Sequence, residues 1–271
     1  MTSETIRHPA VAGRFYTAVP KRLRVEVQQY LQEPAAAPVR AFGVMVPHAG
    51  YMYSGRVCGR GLASVEVPPT VLLLHTKHQL GGGNLALAQF ERWETPLGTV
   101  PVDAELNRAL GEVPSISRTN LPHFGEHAAE VVLPFLQVLQ PKLQVCVISV
   151  MVTPPGTLMQ AGKAIGEAIT RLGRDVLIVA SSDMNHYADH DTTVRLDKMA
   201  LEKLAAFDAA GLLDTCERYD ITMCGAHATA LMLAACKELG ATRVEVLEHT
   251  TSGEVSGEMG SVVGYASARV L

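Results

Sequence analysis

The segment Ala41-Phe42-Gly43-Val44-Met45-Val46-Pro47-His48-Ala49-Gly50-Tyr51-Met52-Tyr53-Ser54-Gly55 decides how the rest of the chain is read. Residues 42–46 form a short apolar run that reads as a buried strand. The small residues after it let the backbone turn sharply and let another group approach closely. Ser54 is expected to cap a helix running to about Ser64. His48 is the first histidine past the strand. In open α/β sheets, ligands bind beyond the carboxyl ends of strands. His48 is therefore read as one arm of a metal-binding pocket, against the plain alternative that it only caps or packs.

Outward from this stretch the same pattern recurs. Apolar runs at 70–74, 145–152 and 176–180 read as strands buried on both faces. Helical patterns fall at 21–32, 157–172, 191–207, 208–217 and 226–239, and residues 126–139 carry an amphipathic pattern with Pro134 as a bend or break. A strand is expected at 244–249 and a closing strand within 260–270. Trp93 to Gly98 reads as a turn, Val100 to Val102 as a short strand, and Asp103 as the cap of a helix to Leu110. Pro34 to Pro38 reads as a linker. Strands alternating with helices indicate a three-layer α/β/α domain around a mostly parallel mixed sheet, taken as one domain over 1–271.

The bulk composition narrows the function. With 271 residues and 48% hydrophobic content, the chain can build a sizeable core and is not disordered. A net charge of −4 gives no nucleic-acid footprint. No apolar run reaches the ~20 residues of a membrane span, and the polar start, Met1 to Ile6, lacks a signal-peptide core. The expected location is cytoplasmic. The five cysteines have irregular spacing and form no Cys-x-x-Cys pair, which argues for reduced thiols. Cys58, Cys146 and Cys236 lie in apolar patterns and read as core residues.

Chemistry-bearing residues cluster where strands end or helices begin. The first strand is followed by His48, the second by His75-Thr76-Lys77-His78, and the 176–180 strand by Ser181-Ser182-Asp183-Met184-Asn185-His186-Tyr187. Cys224 precedes a helix, whose positive end favours a thiolate. Glu126-His127, with Glu130 one turn on, is a further polar pair. Taken singly, Asp183 reads equally as a helix cap and Cys224 as an inert small residue. His8, His123 and His249 read as surface or cap histidines, and His190 as part of a polar loop.

Several blocks together resemble the Memo family, also called the AmmeMemoRadiSam system protein B family. They are Arg7-His8-Pro9-Ala10-Val11-Ala12-Gly13-Arg14-Phe15-Tyr16, Pro47 to Tyr51 with Ser54-Gly55, Trp93 to Gly98, Glu126-His127 through Phe135, Ser181 to Tyr187, and Cys224-Gly225-Ala226-His227. The resemblance implies a fold like that of LigB-type extradiol non-haem iron dioxygenases. It implies metal ligands His48, His78 and Cys224, with Asp183 and His186 lining the pocket. The family's Gly-Pro-x-His turn reads here His75-Thr76-Lys77-His78, which makes His75 an extra candidate ligand.

Two histidines and a cysteine suit iron or copper, with zinc possible, and leave an open position. The expected function is a metal-dependent, dioxygenase-like oxidoreductase acting on a small molecule or modified peptide. In that reading His186 is acid/base and Asp183 holds it. The alternative is a non-catalytic metal- or peptide-binding component of a modification system, with a radical SAM protein and a small AMMECR1-like protein as partners. Zinc-assisted hydrolysis is a third reading.

Overall fold

The computed structural model describes residues 5–32, 37–78 and 81–271. Met1 to Glu4, and Pro34 to Ala36 of the expected linker, lie outside the described residues.

The elements in order are β1 (Ile6–Arg7), α1 (Pro20–Leu31), β2 (Gly43–Val46), α2 (Tyr51–Ala63), β3 (Thr70–Thr76), β4 (Leu85–Leu87), β5 (Arg92–Thr95) and β6 (Gly98–Pro101). Next come α3 (Ala104–Leu110), β7 (Ser117–Arg118), α4 (Leu133–Leu139), β8 (Gln144–Val150), α5 (Pro155–Leu172), β9 (Val176–Ser181) and β10 (His186–Ala188). The chain closes with α6 (His190–Ala205), α7 (Ala209–Arg218), α8 (Ala226–Glu238), β11 (Val244–Thr251), α9 (Ser252–Ser256) and β12 (Val262–Val270).

The main sheet runs β10-β12-β2-β9-β3-β8-β4-β7, with β11 also paired to β12. Its centre, β2-β9-β3-β8, is parallel. The flanking pairs β12–β2 and β4–β8 are antiparallel, so the sheet is mixed. Side chains alternate across a strand, and here both faces are buried. Leu72, Leu74, Ile148 and Ile178 pack under α3, α5, α7 and α8, whereas Val71, Leu73, Val147 and Val179 pack under α1, α2 and α4. Two cores on one sheet give the three-layer α/β/α architecture and explain the unbroken apolar runs. A small sheet, β1-β5-β6, stands beside it. Among the described residues no helix is long and apolar enough to cross a membrane.

Several local expectations change. Helix α2 starts at Tyr51, three residues before Ser54, whose hydroxyl bonds back to the Ala49 carbonyl at 3.0 Å. Trp93 to Gly98 is not a free turn: β5 and β6 pair across it as a hairpin. The amphipathic 126–139 stretch is helical only from Leu133. Glu126 takes the backbone N–H groups of His127 and Ala128 onto its own carboxylate. Pro134, without an N–H, sits at the helix start, where none is needed, and so opens the helix instead of bending it. All five cysteines are free thiols, with Cys58, Cys146 and Cys236 buried.

Candidate metal centre

The carboxyl ends of β2, β9 and β3 open on one edge, and the turn before α8 closes over them. His48 leaves β2, Asp183 leaves β9, and His78 follows β3. Gly225 lets the Cys224 turn reach this edge: a Cβ there would lie 2.4 Å from Ser182 Cβ and 2.6 Å from the Ser181 carbonyl. Only glycine permits that approach.

One ligand atom each from His48, His78 and Cys224 lies within 4.8 Å of the others. The hydrogen-bond network assigns their tautomers. The single proton of the Ser181 hydroxyl goes to the Ala128 carbonyl at 2.6 Å. The same oxygen therefore accepts from His48 Nδ1–H at 2.7 Å, which leaves the His48 Nε2 lone pair facing Cys224 Sγ at 3.5 Å. His78 donates Nδ1–H to Glu126 at 2.9 Å and its backbone N–H to the same carboxylate at 2.8 Å. Its Nε2 is likewise left as a lone pair. A carboxylate or hydroxyl behind each imidazole is the usual outer support of a metal-bound histidine.

His78, Glu126 and His127 form a second close group of donors. Glu126 already accepts from His78, His127 and Ala128, so this group acts as support behind His78. The His127 ring stacks on His78 at 4.8 Å and meets His48 at 5.5 Å and Phe15 at 4.8 Å. Glu126-His127 was visible as a polar pair in the sequence. Its place in the pocket was hidden by reading it as the first turn of a helix. Ser181 gave no signal at all, since a serine after a strand has many uses.

Burial, then the neighbouring rings of His127 and His78, hold the His48 pKa well below the ordinary histidine value, so it is a neutral donor. Burial opposes the charge on Glu126, but the His78 hydrogen bond and the nearby rings outweigh it and hold the carboxyl well below its usual range. Burial also works against protonated His78, and there Glu126 wins and raises it. Burial, with the negative Asp183 beside it, pushes the Cys224 thiol far up. In this surrounding the sulfur is held as a thiol, and a bound cation is what would ionise it.

Asp183 is in the pocket but serves the main chain. It accepts the His48 N–H at 2.8 Å, and its other oxygen lies 3.9 Å from His48 Nε2. It caps no helix; burial raises its pKa against that hydrogen bond. Among the described residues no hydrogen bond joins it to His186. His186 instead donates Nδ1–H to the Thr222 carbonyl at 2.9 Å, and its N–H to Thr222 Oγ1 at 2.8 Å. Thr222 is held in turn by Asn185 Oδ1 at 3.2 Å. His75 points away from the pocket, onto the Thr76 carbonyl and His123. His123 is buried, not a surface histidine. His249 is partly buried on the buried carboxylate of Asp197 at 2.8 Å, and His8 is exposed beside Glu94.

Fold and pocket together define an α/β protein with a preformed set of soft and borderline donors at the carboxyl edge of its sheet. Comparison with known proteins names the class. A profile described as Memo-like protein matches residues 7–269. A MEMO1 family protein of Methanothermobacter thermautotrophicus is 36% identical over 273 residues, spanning 96% of this chain and 99% of the relative. One from Ignicoccus hospitalis is 38% identical over 279 residues, spanning 97% and 98%. The chain belongs to the Memo family. The crystal structure of the uncharacterized protein JW3007 from Escherichia coli K12 superposes with a TM-score of 0.55 at 12% identity, covering 86% of this chain and 100% of that one. That likeness concerns the fold alone, and it agrees with the three-layer α/β architecture expected.

Proposed function

We propose that this Memo-family protein binds one transition metal ion through His48 Nε2, His78 Nε2 and Cys224 Sγ, and works as a metal-dependent oxidoreductase on a small molecule or modified peptide in the cytoplasm. The observation that carries the reading is the convergence of these three atoms within 4.8 Å of one another, with both imidazole lone pairs turned inward by Ser181 and Glu126. Two imidazoles and a thiolate suit iron or copper best, and zinc as well. Iron or copper would supply one-electron chemistry at the open position. The protein's own part is to keep His48 neutral, to release the Cys224 proton on loading, and to orient His186. With Nδ1–H fixed on Thr222, His186 Nε2 is free to take or give a proton.

A second reading is a binding role without turnover, as part of a radical-SAM-associated modification system with a small AMMECR1-like partner. It is favoured by large apolar side chains left exposed in the first turn of α2, next to His123 and in β10. Met52 is 66% exposed, Phe124 57% and Tyr187 79%. Tyr187 holds a φ of 64°, a strained value for a bulky residue.

Metal analysis of protein purified without chelator tests the site, beside His48→Ala and Cys224→Ala. Loss of metal in both variants is the expected result; unchanged content in both would refute the assignment. Oxygen uptake by the iron-loaded protein then separates the readings. Turnover supports the oxidoreductase, and metal bound without turnover over a broad substrate panel supports the binding role.

A further inference from the structure

Two short segments, 75–78 and 123–126, run side by side behind the site and are joined at both ends. At the near end, His78 is tied to Glu126. At the far end, His75 Nε2 meets His123 Nδ1 at 3.0 Å. Arg7 spans the second segment, donating Nε–H to the His123 carbonyl at 3.3 Å and an Nη2 hydrogen to the Glu126 carbonyl. His78 is thus presented by a frame with two rungs, and one rung is a pair of buried imidazoles that the metal reading does not use.

That rung has a proton count which neutral rings do not meet. His75 Nδ1 lies 2.6 Å from the Thr76 carbonyl, and His123 Nε2 lies 3.1 Å from the Ala86 carbonyl. A carbonyl only accepts, so both nitrogens carry hydrogen. A neutral imidazole has one N–H. Two neutral rings would therefore leave two lone pairs facing each other across 3.0 Å, in a place where both side chains are shut off from water. Unpaired buried polar groups of this kind are rare in folded proteins. Three hydrogen bonds among these four nitrogens need a third proton.

The charged neighbours pull in both directions. The Glu126 carboxylate favours a cation on either ring, whereas the Arg7 guanidinium opposes it on both and His78 opposes it on His75. The Trp93 ring packs against His123 at 6.0 Å. Burial works against the charge, pushing His75 down to about 4 and, with the His75 ring beside it, His123 well below its ordinary value. The full set of three hydrogen bonds, available only to the charged pair, works for it.

We propose that His75 and His123 share one extra proton at neutral pH, and that this cationic pair is a positioning element for His78. It holds 123–126 against 75–78 so that the Glu126 side chain stays on His78 Nδ1 and fixes the direction of that ring. The positioning half rests on the metal reading for its purpose; the proton count does not.

The test uses the full chain, stripped of metal by chelator, with 15N-labelled histidine. Long-range 1H–15N spectra at neutral pH report which ring nitrogens carry hydrogen, with His75→Gln and His123→Gln supplying assignments. Three protonated nitrogens in the pair is the expected result; two would overturn the shared proton. In His123→Ala, recorded at a pH above the His78 titration, the His78 signals should lose their single Nδ1–H pattern and become those of mixed tautomers, while His186 and His249 stay unchanged. His78 signals identical to wild type would overturn the positioning role. If His123→Ala does not fold, the same shift is read in His75→Gln. Because no metal is present, failure to bind metal elsewhere leaves these outcomes as they are.

Discussion

Where β2, β3, β8 and β9 begin, a cleft of ≈ 1020 Å³ is lined by residues that include Phe42, Arg40, Gln144, Arg174 and Asp175. Where β2, β3 and β9 end, a tighter pocket gathers His48, His78, Cys224 and Asp183. The wide cleft has its arginines already matched. Arg40 meets Asp175 at 2.5 Å, and Arg174 meets Asp103 at 2.7 Å. The tight pocket has its imidazoles supported from behind and left open in front. The cleft's two arginines are already paired, whereas the donors of the pocket converge in the arrangement that the proposed cation would use. Volume points to the first edge and donor convergence to the second, and convergence is the better guide because it places two imidazoles and a sulfur within common reach of one ion.

The sharpest way to break the contrast is to delete a donor. Cys224→Ala or His48→Ala should weaken Co(II) or Zn(II) binding beyond the 10–100-fold that outer supports are worth, measured by competition with a chromophoric chelator. Arg40→Ala at the other edge should leave binding unchanged. Next in size is Glu126→Gln, which keeps the shape but removes the charge behind His78. A loss of about 10–100-fold in affinity is expected, with Ser181→Ala at the lower end of that range.

The pH profile sharpens the comparison further. Loading must expel the Cys224 proton, because burial and Asp183 hold that thiol protonated well above neutrality. Affinity should therefore rise about tenfold for each pH unit through the neutral range. His48 adds nothing there, its pKa being depressed. His78, raised by Glu126 above the ordinary histidine value, steepens the dependence further at every pH below its own titration. A flat profile would mean that the sulfur is not a ligand. The smallest effect belongs to the wide cleft: Arg40→Ala should change stability by under about 1 kcal/mol in urea unfolding, as for other exposed ion pairs.

Much of this edge was readable from residue order. Apolar runs buried on both faces, three of the four followed closely by a histidine, aspartate or serine, placed His48 and Asp183 beyond β2 and β9 with no contact information. The ligand set came from family resemblance, since no spacing rule links positions 48, 78 and 224. What stayed hidden depends on where side chains turn after the strand stops. His75 and His78 are three residues apart, yet one points at His123 and the other into the pocket. The reason is that β3 runs on through Thr76, so His75 is still a strand residue with its direction fixed by the pleat. Asp183 was expected to hold His186; instead it bonds the His48 backbone, and Thr222, a residue with no outward sign of a role, orients His186. Of the two readings of Pro134, a bend or a break, the structure has the break, with the helix opening at Leu133; the part hidden from the apolar period is that residues before it are not helical, where the Glu126 side chain captures two N–H groups.

Cobalt(II) spectroscopy on the full chain puts the central claim to its most direct test. Co(II) bound by His48, His78 and Cys224 should give a thiolate-to-cobalt charge-transfer band that is absent from Cys224→Ser, while ligand-field bands report low coordination. A wild-type protein that binds cobalt without that band, or a Cys224→Ser variant that keeps it, would contradict the account.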